Sequence, residues 1–499
     1  MKTRSRFRLR KSSLSGLLTL VWLTGCMVGP KYRKPAVPSY QAPGQTVDQS
    51  QAPYKEADPD WHPAAPADSA IRGDWWGVFG QSELNALEVK AAAQNQSLKS
   101  YAARYVEAQA QIGINHSALL PTIGTAPIAQ GVRYSAGRPY FTSSALNANP
   151  FGVSDIQLPL TLNYEIDFWG RIRRTINEAK EEAQASAADL ATAQLSVQAE
   201  LAMDYFELRT DDAQAKLLAD TVKDYQEALR ITTNRFEGGI SNESDVFQAR
   251  TQLQAAIVQQ QDIAVQRAQY EHAIAILIGQ PPNSFSLPVA ALAAQPPAIP
   301  ASLPSQLLER RPDIAAAERR ANEANERIGI ARAAYFPTIG FSGAAGGIEA
   351  PNLQSIFNAS NIFFAVGPTV NYNIFDAGLR RSQSAQAIAG FEQTSADYRQ
   401  TVLTAFQQVE DNLAALRILA QEAEQQRQAT EAAQGAQKIF DNRYVGGLDT
   451  YLQVVTAQNT ALANERNDID IMRRRMDASV LLIKALGGGW STAQLPKFN

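Results

Sequence analysis

The second half of this 499-residue chain repeats the motifs of its first half in the same order. Residues 112–124 (IGINHSALLPTIG) return 216 positions later as residues 328–340 (IGIARAAYFPTIG). Residues 234–240 (NRFEGGI) return 208 positions later as residues 442–448 (NRYVGGL). Self-similarity in the same order and at a nearly constant spacing indicates tandem structural units. The sequence therefore predicts two copies of one strand-strand-helix-helix repeat.

The composition argues against nucleic-acid binding and against catalysis. The formal net charge is −3, which gives no reason to expect a nucleic-acid partner. The three histidines, His62, His116 and His272, lie far apart and lack metal-ligand spacing. No cluster of His, Cys or paired carboxylates converges at a recognisable catalytic spacing, so we expect no metal, no cofactor and no enzyme activity.

The first 26 residues read as the leader of an exported lipoprotein. A basic stretch precedes a short apolar one, which predicts a signal peptide over residues 1–25. The leader ends in Leu-Thr-Gly-Cys at 23–26, similar to the bacterial lipobox, so we expect N-palmitoyl and S-diacylglycerol groups on Cys26. A buried free thiol is the alternative for this single cysteine. Met27 in place of Asp indicates sorting to the outer membrane, and residues 26–75 are expected to form a tether and part of an equatorial segment.

Four segments have the alternation of membrane strands. Apolar and polar residues alternate without a break from Ile156 to Phe168, so one face is apolar and the other polar. We predict strands at about 119–135, 153–168, 335–347 and 361–376. Aromatic residues near the strand ends suit interfacial girdles: Tyr134, Tyr140, Phe141, Phe168, Trp169, Tyr335, Phe336, Phe363 and Tyr372.

Four strands leave the closure of the sheet open. A soluble sandwich would bury the apolar faces against each other, whereas strands in lipid must close into a barrel without free edges. Four strands per chain are too few, so several chains would share one barrel. Two chains would supply eight strands and three would supply twelve, and the strands alone do not choose between these numbers.

Two helices are predicted to be too long for a globular domain. From Gly170 to about residue 237 there is no proline and no second glycine, which corresponds to roughly 100 Å of helix. The copy covers about 378–445, and returning helices follow at about 242–278 and 449–486 after Gly-Gly turns. Two apolar seams have the spacing that is typical of a coiled coil. They consist of Val197, Leu201, Tyr205 and Leu208, and of Val402, Phe406, Val409, Leu413, Leu416 and Ala420. Shorter helices are expected at about 81–117 and 304–334.

Together these motifs resemble the TolC/OprM-type outer-membrane factors, in the lipoprotein (NodT/OprM) branch of RND-type efflux systems. The most specific matches are residues 167–171 (DFWGR), 373–378 (NIFDAG) and 443–447 (RYVGG). The resemblance assigns repeat 1 to residues 76–279, a linker and equatorial segment to 280–303, repeat 2 to 304–488 and a C-terminal tail to 489–499. It implies a membrane β-barrel plus a long α-helical coiled-coil barrel, formed by a homotrimer with twelve strands and twelve helices.

The resemblance also implies partners and a function. It implies an exit duct of a tripartite pump in the outer membrane, in contact with outer-membrane lipid, that passes drugs or other small toxic compounds to the exterior. A periplasmic adaptor (membrane fusion protein) and an inner-membrane RND-type pump would supply them. A type I secretion duct for protein and a periplasmic coiled-coil lipoprotein scaffold without a pore remain alternatives.

Family resemblance places the functional residues at the helix tips. Two matching groups are expected to contact the adaptor: Gly238, Gly239, Ile240 and Ser241, and Gly446, Gly447, Leu448 and Asp449. A second set is expected to form the periplasmic gate: Leu452, Thr456, Asp245, Arg250, Arg443 and Tyr444. Thr456 stands where related ducts often have Asp, which argues against a carboxylate ring. A ring of Leu452 side chains would instead close the tunnel by apolar contact.

Overall fold

A computed structural model describes residues 27–37, 73–133, 152–290, 296–297 and 310–498. Cys26, the signal peptide and most of the expected tether lie outside this described part. The chain divides into two compact units, each formed from three segments: Met1–Lys34, Glu107–Ala183 and Arg319–Ala396 in the first, and Pro35–Val106, Gln184–Glu318 and Asp397–Asn499 in the second. The first unit contains the sheet.

Seven α-helices and five strands occur in the described ranges. The helices are α1 Ser82–Gln94, α2 Gln96–Ser117, α3 Arg171–Glu237, α4 Glu243–Leu277, α5 Pro312–Ala333, α6 Leu379–Val445 and α7 Tyr451–Ala485. The strands are β1 Thr122–Thr125, β2 Ile128–Arg133, β3 Gly152–Ile166, β4 Thr338–Ala350 and β5 Ile362–Asn371. Of these helices, none is both long and apolar enough to cross a membrane.

One antiparallel sheet contains all five strands. β3 pairs with β4, and β4 pairs with β5. β1 and β2 both pair with β3 in one continuous register, so they are two pieces of one edge strand. The interruption falls at Pro127, which has no N–H to donate to the ladder. β5 forms the opposite edge of the sheet in this chain and contains Pro368.

The predicted strands differ from the observed ones at their ends. The first was predicted over about 119–135, but pairing begins at Thr122, and residues 134–135 lie outside the described part. β3 ends at Ile166 and not at 168, because Asp167 turns to cap the next helix. β5 ends at Asn371 and not at 376, because residues 372–378 form the turn that leads into α6.

The sheet presents one apolar and one polar face. Leu158 lies opposite Ile348, and Tyr164 lies opposite Phe341 on the same apolar side. On the polar side, side-chain amide groups join three strands: Gln130 and Gln157 donate to Asp155, and Gln157 also donates to Glu349. Leu160 and Phe364 on the apolar face are 50% and 80% exposed, so nothing in the described chain covers that face.

Carboxylates cap the two long helices where the sheet ends. The Asp167 carboxylate accepts from the backbone N–H of Ile172 and Arg173, both at 3.0 Å, and so satisfies donors that the first turn of α3 leaves unpaired. Asp376 serves α6 by accepting from the backbone of Gly378 (3.0 Å) and Arg380. The long helices begin within one residue of the predicted positions and end at the predicted residues.

The core of the second unit follows the predicted seams. Val197, Leu201, Tyr205 and Leu208 are buried with the aromatic segment Trp75–Phe79 and with one face of α1. The α6 seam is buried at Val402 and Val409, but its last predicted position, Ala420, is exposed and Leu419 is buried instead. At this end of the seam the buried position therefore lies one residue before the predicted one.

A polar network in this unit fixes the segment that follows α4. The buried Arg209 guanidinium donates to Asp212 at 2.7 Å and to the Pro288 carbonyl at 2.7 Å. Asp212 also accepts from Arg267 at 2.6 Å and from the backbone of Ala290 at 3.1 Å. These charge-assisted bonds hold the start of the linker against α3 and α4.

Candidate functional site

The two tip turns have the same backbone hydrogen bonds. After α3, the Ile240 N–H donates to the Arg235 carbonyl at 2.8 Å; after α6, the Leu448 N–H donates to the Arg443 carbonyl at 2.9 Å. Gly239 and Gly447 have φ of +72° and +75°, the left-handed conformation that L side chains rarely adopt. Each copy therefore needs only its second glycine for the turn.

The two tip hairpins meet at Arg235. Its guanidinium donates to the Tyr444 carbonyl at 3.0 Å and to the Val445 carbonyl at 3.3 Å, and so binds the C-terminal end of α6. Its Cζ also lies 4.7 Å from the centre of the Tyr444 ring. A cation near helix-terminal carbonyls and over an aromatic face is stabilised by both groups. Arg235 therefore connects the end of α3 to the end of α6.

An apolar cluster lies beneath this contact. The Tyr444 and Tyr451 rings are 5.4 Å apart, and both side chains are buried with Ala249 and Val454. Burial raises the pKa of Tyr451 above its ordinary value, and the nearby Tyr444 is the second cause of this rise. The Tyr444 hydroxyl is buried and has no hydrogen-bond partner in the described ranges. The cluster is thus held by packing, with Tyr451 kept neutral.

The predicted gate residues fall into separate local groups. Arg443 pairs with Asp449 across its own turn, with 2.5 Å from Nε to Oδ2. Arg250 is exposed, and its Cζ lies 5.9 Å from the centre of the Phe247 ring. Asp245 is half-buried in the first turn of α4. Within the described ranges, neither Asp245 nor Arg250 bonds to Arg443 or Tyr444.

Leu452 and Thr456 lie one turn apart at the start of α7. The Thr456 hydroxyl donates to the Leu452 carbonyl at 2.9 Å, so this hydroxyl is already satisfied within the helix. Leu452 is 58% exposed, and the apolar side chains of the two tip turns, Ile240 (70%) and Leu448 (71%), are exposed as well. Exposed large apolar side chains at these positions make the tips a candidate interaction surface.

Sequence reasoning missed Arg235 as a tip residue, although a signal for it was present. Arg235 and Arg443 occupy the same position in the two NR(F/Y)xGG motifs, 208 residues apart. Of these two arginines, only Arg443 was predicted to act at the gate. The partner of Arg235, the end of α6, is a long-range contact that no local motif encodes.

Among the described residues, both edges of the sheet are unpaired and its apolar face is uncovered. The same chain contains two 67-residue helices, each followed by a returning helix, and this combination is that of an outer-membrane channel protein. The sequence profile of the outer membrane efflux protein family matches residues 87–280 and 303–488. The chain belongs to this family.

Individual relatives extend over nearly the whole chain. The toluene efflux pump outer membrane protein TtgF of Pseudomonas putida is 32% identical over 475 residues, which cover 94% of this chain and 95% of that protein. The antibiotic efflux pump outer membrane protein ArpC of Pseudomonas putida is 30% identical over 482 residues, 96% of each chain. A solved structure of the outer-membrane channel OprN is 26% identical with a TM-score of 0.82, and covers 93% of this chain and 100% of that chain. The fold class predicted from the sequence, the efflux function and the outer-membrane localisation are confirmed.

Proposed function

We propose that three copies of this chain form the exit duct of a tripartite efflux pump, and that the duct receives its substrates from a periplasmic adaptor and an inner-membrane RND-type pump. The chain contributes a passage and no chemistry. The proposed substrates are drugs or other small toxic compounds, which agrees with the names of the toluene efflux pump protein TtgF and the antibiotic efflux pump protein ArpC.

The unpaired edges of the sheet are the main support for this proposal. Among the described residues, its strand order leaves backbone groups of the two outer strands unpaired. Edges in lipid must be paired, and the resemblance to trimeric channels favours closure by three copies. The amide and carboxylate groups on the polar face, Gln130, Asp155, Gln157 and Glu349, would then line water, and Leu160 and Phe364 would meet lipid.

We further propose that the tip turns serve two purposes. The exposed Ile240 and Leu448 side chains, with their neighbours Gly238, Gly239, Ser241, Gly446, Gly447 and Asp449, would receive the adaptor. The exposed Leu452 side chains of three copies would close the resting tunnel, with Thr456 one turn behind them. In this proposal Asp245, Arg250, Arg443 and Tyr444 restrain the tips around that constriction.

Cys26 is proposed as the lipidation site. The chain would be anchored by acyl groups in addition to its strands, because two or more chains on one residue give stable membrane binding. The free-thiol alternative predicts an unmodified Cys26, so the mass of the N-terminal peptide distinguishes the two.

The central test is the purified protein in detergent and in planar bilayers. An SDS-resistant oligomer of three chains that conducts ions in discrete steps would support the duct. A monodisperse monomer without conductance would overturn it in favour of a periplasmic scaffold, and an oligomer of two chains would overturn the twelve-strand barrel. Replacing Phe364 with Asp on the apolar face should abolish insertion, whereas Ala365→Asp on the opposite face should leave it intact.

A further inference from the structure

The first described residues, Met27–Pro30, are held by hydrogen bonds to other residues of the first unit. The Val28 N–H donates to the Trp169 carbonyl at 3.1 Å. Arg174 donates through Nε to the Val28 carbonyl at 2.6 Å and through Nη2 to the Pro30 carbonyl at 3.4 Å. All three bonds go to the main chain of the segment, so the segment is recognised by its backbone.

Burial and charge balance make Arg174 a fixed donor. The residue is 3% exposed, and its Nη1 lies 2.9 Å from Oε2 of Glu326 on α5. A planar guanidinium has donors on several sides, so one ion pair still leaves Nε and Nη2 for the two carbonyls. The pair with Glu326 thus orients the group that binds residues 28–30.

Three glycines let the backbones approach. Gly29 has φ of +119°, and a Cβ there would lie 2.7 Å from the Gly329 Cα. A Cβ on Gly329 would lie 2.1 Å from Cδ of Arg174, and one on Gly170 would lie 2.6 Å from Cγ of Met27. Contacts this short are not tolerated by real side chains. The segment and its site therefore fit each other only as glycine-lined surfaces.

The site belongs to one repeat alone. In the second copy, Ser382 stands at the position of Arg174, and in the first copy Ala110 stands at the position of Glu326. A Cβ added at Gly113, the counterpart of Gly329, would have no atom of the described residues within 4 Å. The Arg-Glu pair is therefore not a general feature of the repeat, and it occurs where the N-terminal segment is bound.

The site lies where β3 gives way to α3, beside stacked aromatic rings. Trp169 donates through Nε1 to the Pro337 carbonyl at 2.8 Å, and its ring stacks on Phe336 with centroids 4.5 Å apart. Tryptophan with a satisfied N–H and an apolar body is typical of the membrane–water interface. The segment is thus bound beside the residues expected at the level of the lipid headgroups.

We propose that Arg174, oriented by Glu326, forms a docking site for the backbone of residues 27–30 and thereby holds the acylated N-terminus at the junction of sheet and helix. This inference rests on the proposed lipidation of Cys26. Because Cys26 precedes Met27 directly, its acyl chains start within one residue, about 3.8 Å along the chain, of the bound segment. The acyl chains then enter the membrane at a fixed point on each subunit. The location of this point does not depend on the length of the tether that follows residue 30.

Limited trypsin digestion of the full-length oligomer in detergent tests the docking. Lys31 follows the bound segment directly, so cleavage there reports how often the segment leaves its site. Arg174→Ala should accelerate this cleavage by about tenfold or more, the factor expected from losing charge-assisted hydrogen bonds. Arg171→Ala is the matched control on the same helix, since Arg171 pairs with Glu165. Equal rates in Arg174→Ala and Arg171→Ala would overturn the proposal.

A second variant removes the fit from the side of the segment. Gly29→Val leaves the Arg174–Glu326 pair in place, so it remains informative if Arg174→Ala fails to assemble. It should accelerate cleavage at Lys31 as well, and Ala36→Val, at an exposed position outside the site, should not. If Gly29→Val cleaves at the wild-type rate, the docking is refuted. The mass of the released peptide reports acylation separately: an unmodified Cys26 refutes the lipid anchor, and the cleavage ratios still decide the docking.

Discussion

Arg235 lies at the end of one tip hairpin and binds the last turn of the other, with its guanidinium 4.7 Å from the centre of the Tyr444 ring and 3.0 Å from the Tyr444 carbonyl oxygen. Its counterpart, Arg443, makes an ion pair inside its own turn instead. The two repeats therefore use the same arginine position for different purposes, and only the first connects the hairpins.

Arg235→Ala should loosen the tips. The substitution removes two bonds to helix-terminal carbonyls and one cation–π contact, which together contribute about 2 kcal/mol. We expect a larger mean single-channel conductance and more frequent openings in planar bilayers. Arg230→Ala, which removes an exposed ion pair with Glu227 on the same helix, should leave both unchanged. A closed state of wild-type stability in Arg235→Ala would show that Arg235 does not restrain the tips.

Shortening Leu452 should widen the resting tunnel. If three exposed Leu452 side chains meet at the constriction, Leu452→Ala raises conductance and Leu452→Gly raises it further, because less apolar surface remains to exclude water. The control is Gln453→Ala, the next exposed position on the same turn. Unchanged conductance in Leu452→Gly would remove this residue from the gate.

Glu88 should make stability depend on pH. Its side chain is fully buried, both carboxylate oxygens have no hydrogen-bond partner in the described ranges, and burial raises its pKa to about 9. The folded state therefore keeps a proton that the unfolded state releases near pH 4.5, and stability falls as the pH rises between these values.

Glu88→Gln should abolish that contribution. The stability difference between Glu88→Gln and wild type should grow by about 1.4 kcal/mol per pH unit from about pH 5 to pH 9. Denaturant unfolding in detergent, followed by circular dichroism, gives this difference at each pH. Glu107→Gln, at an exposed position on α2, should give a constant difference. A difference between Glu88→Gln and wild type that does not change with pH would mean that the carboxyl has a partner in the intact oligomer.

Arg209→Ala should destabilise the second unit strongly. It leaves the buried Asp212 carboxylate with one cation fewer and the Pro288 carbonyl without its donor. Breaking a buried ion pair from one side costs roughly 3–5 kcal/mol. Lys223→Ala, which removes an exposed pair with Asp220, should have no measurable effect in the same unfolding experiment. If Arg209→Ala were as stable as wild type, the linker would be held by other contacts.

The long helices were predictable because their signals are local. Between Gly170 and Gly238 no residue breaks a helix, and the Gly-Gly pairs mark the turns, so the predicted bounds agree with those of α3 and α6 to within one residue. Strand ends were less predictable. Asp167 continues the alternation in the sequence and Asp376 lies within the predicted strand, but both residues cap helices, and a cap competes with the strand for the same residue.

Contacts between distant segments could not be read from periodicity. The helix predicted over 81–117 is broken at Asn95, whose side chain accepts from the Leu98 N–H and donates to the Leu277 carbonyl. The first bond is a local cap that an asparagine can signal, but the second depends on where α4 ends. The same holds for Arg174 and Glu326, which are 152 residues apart and meet only in the folded chain.

Proline interrupts or occupies both outermost strands of the sheet, at Pro127 and at Pro368. Pro127 divides its edge strand into two short pieces, so a second chain that pairs there meets a less regular strand than one unbroken ladder would offer. In a closed ring the same prolines recur at each seam between subunits. The seams between subunits would therefore be the weakest joints of the barrel, and the oligomer would dissociate most readily there.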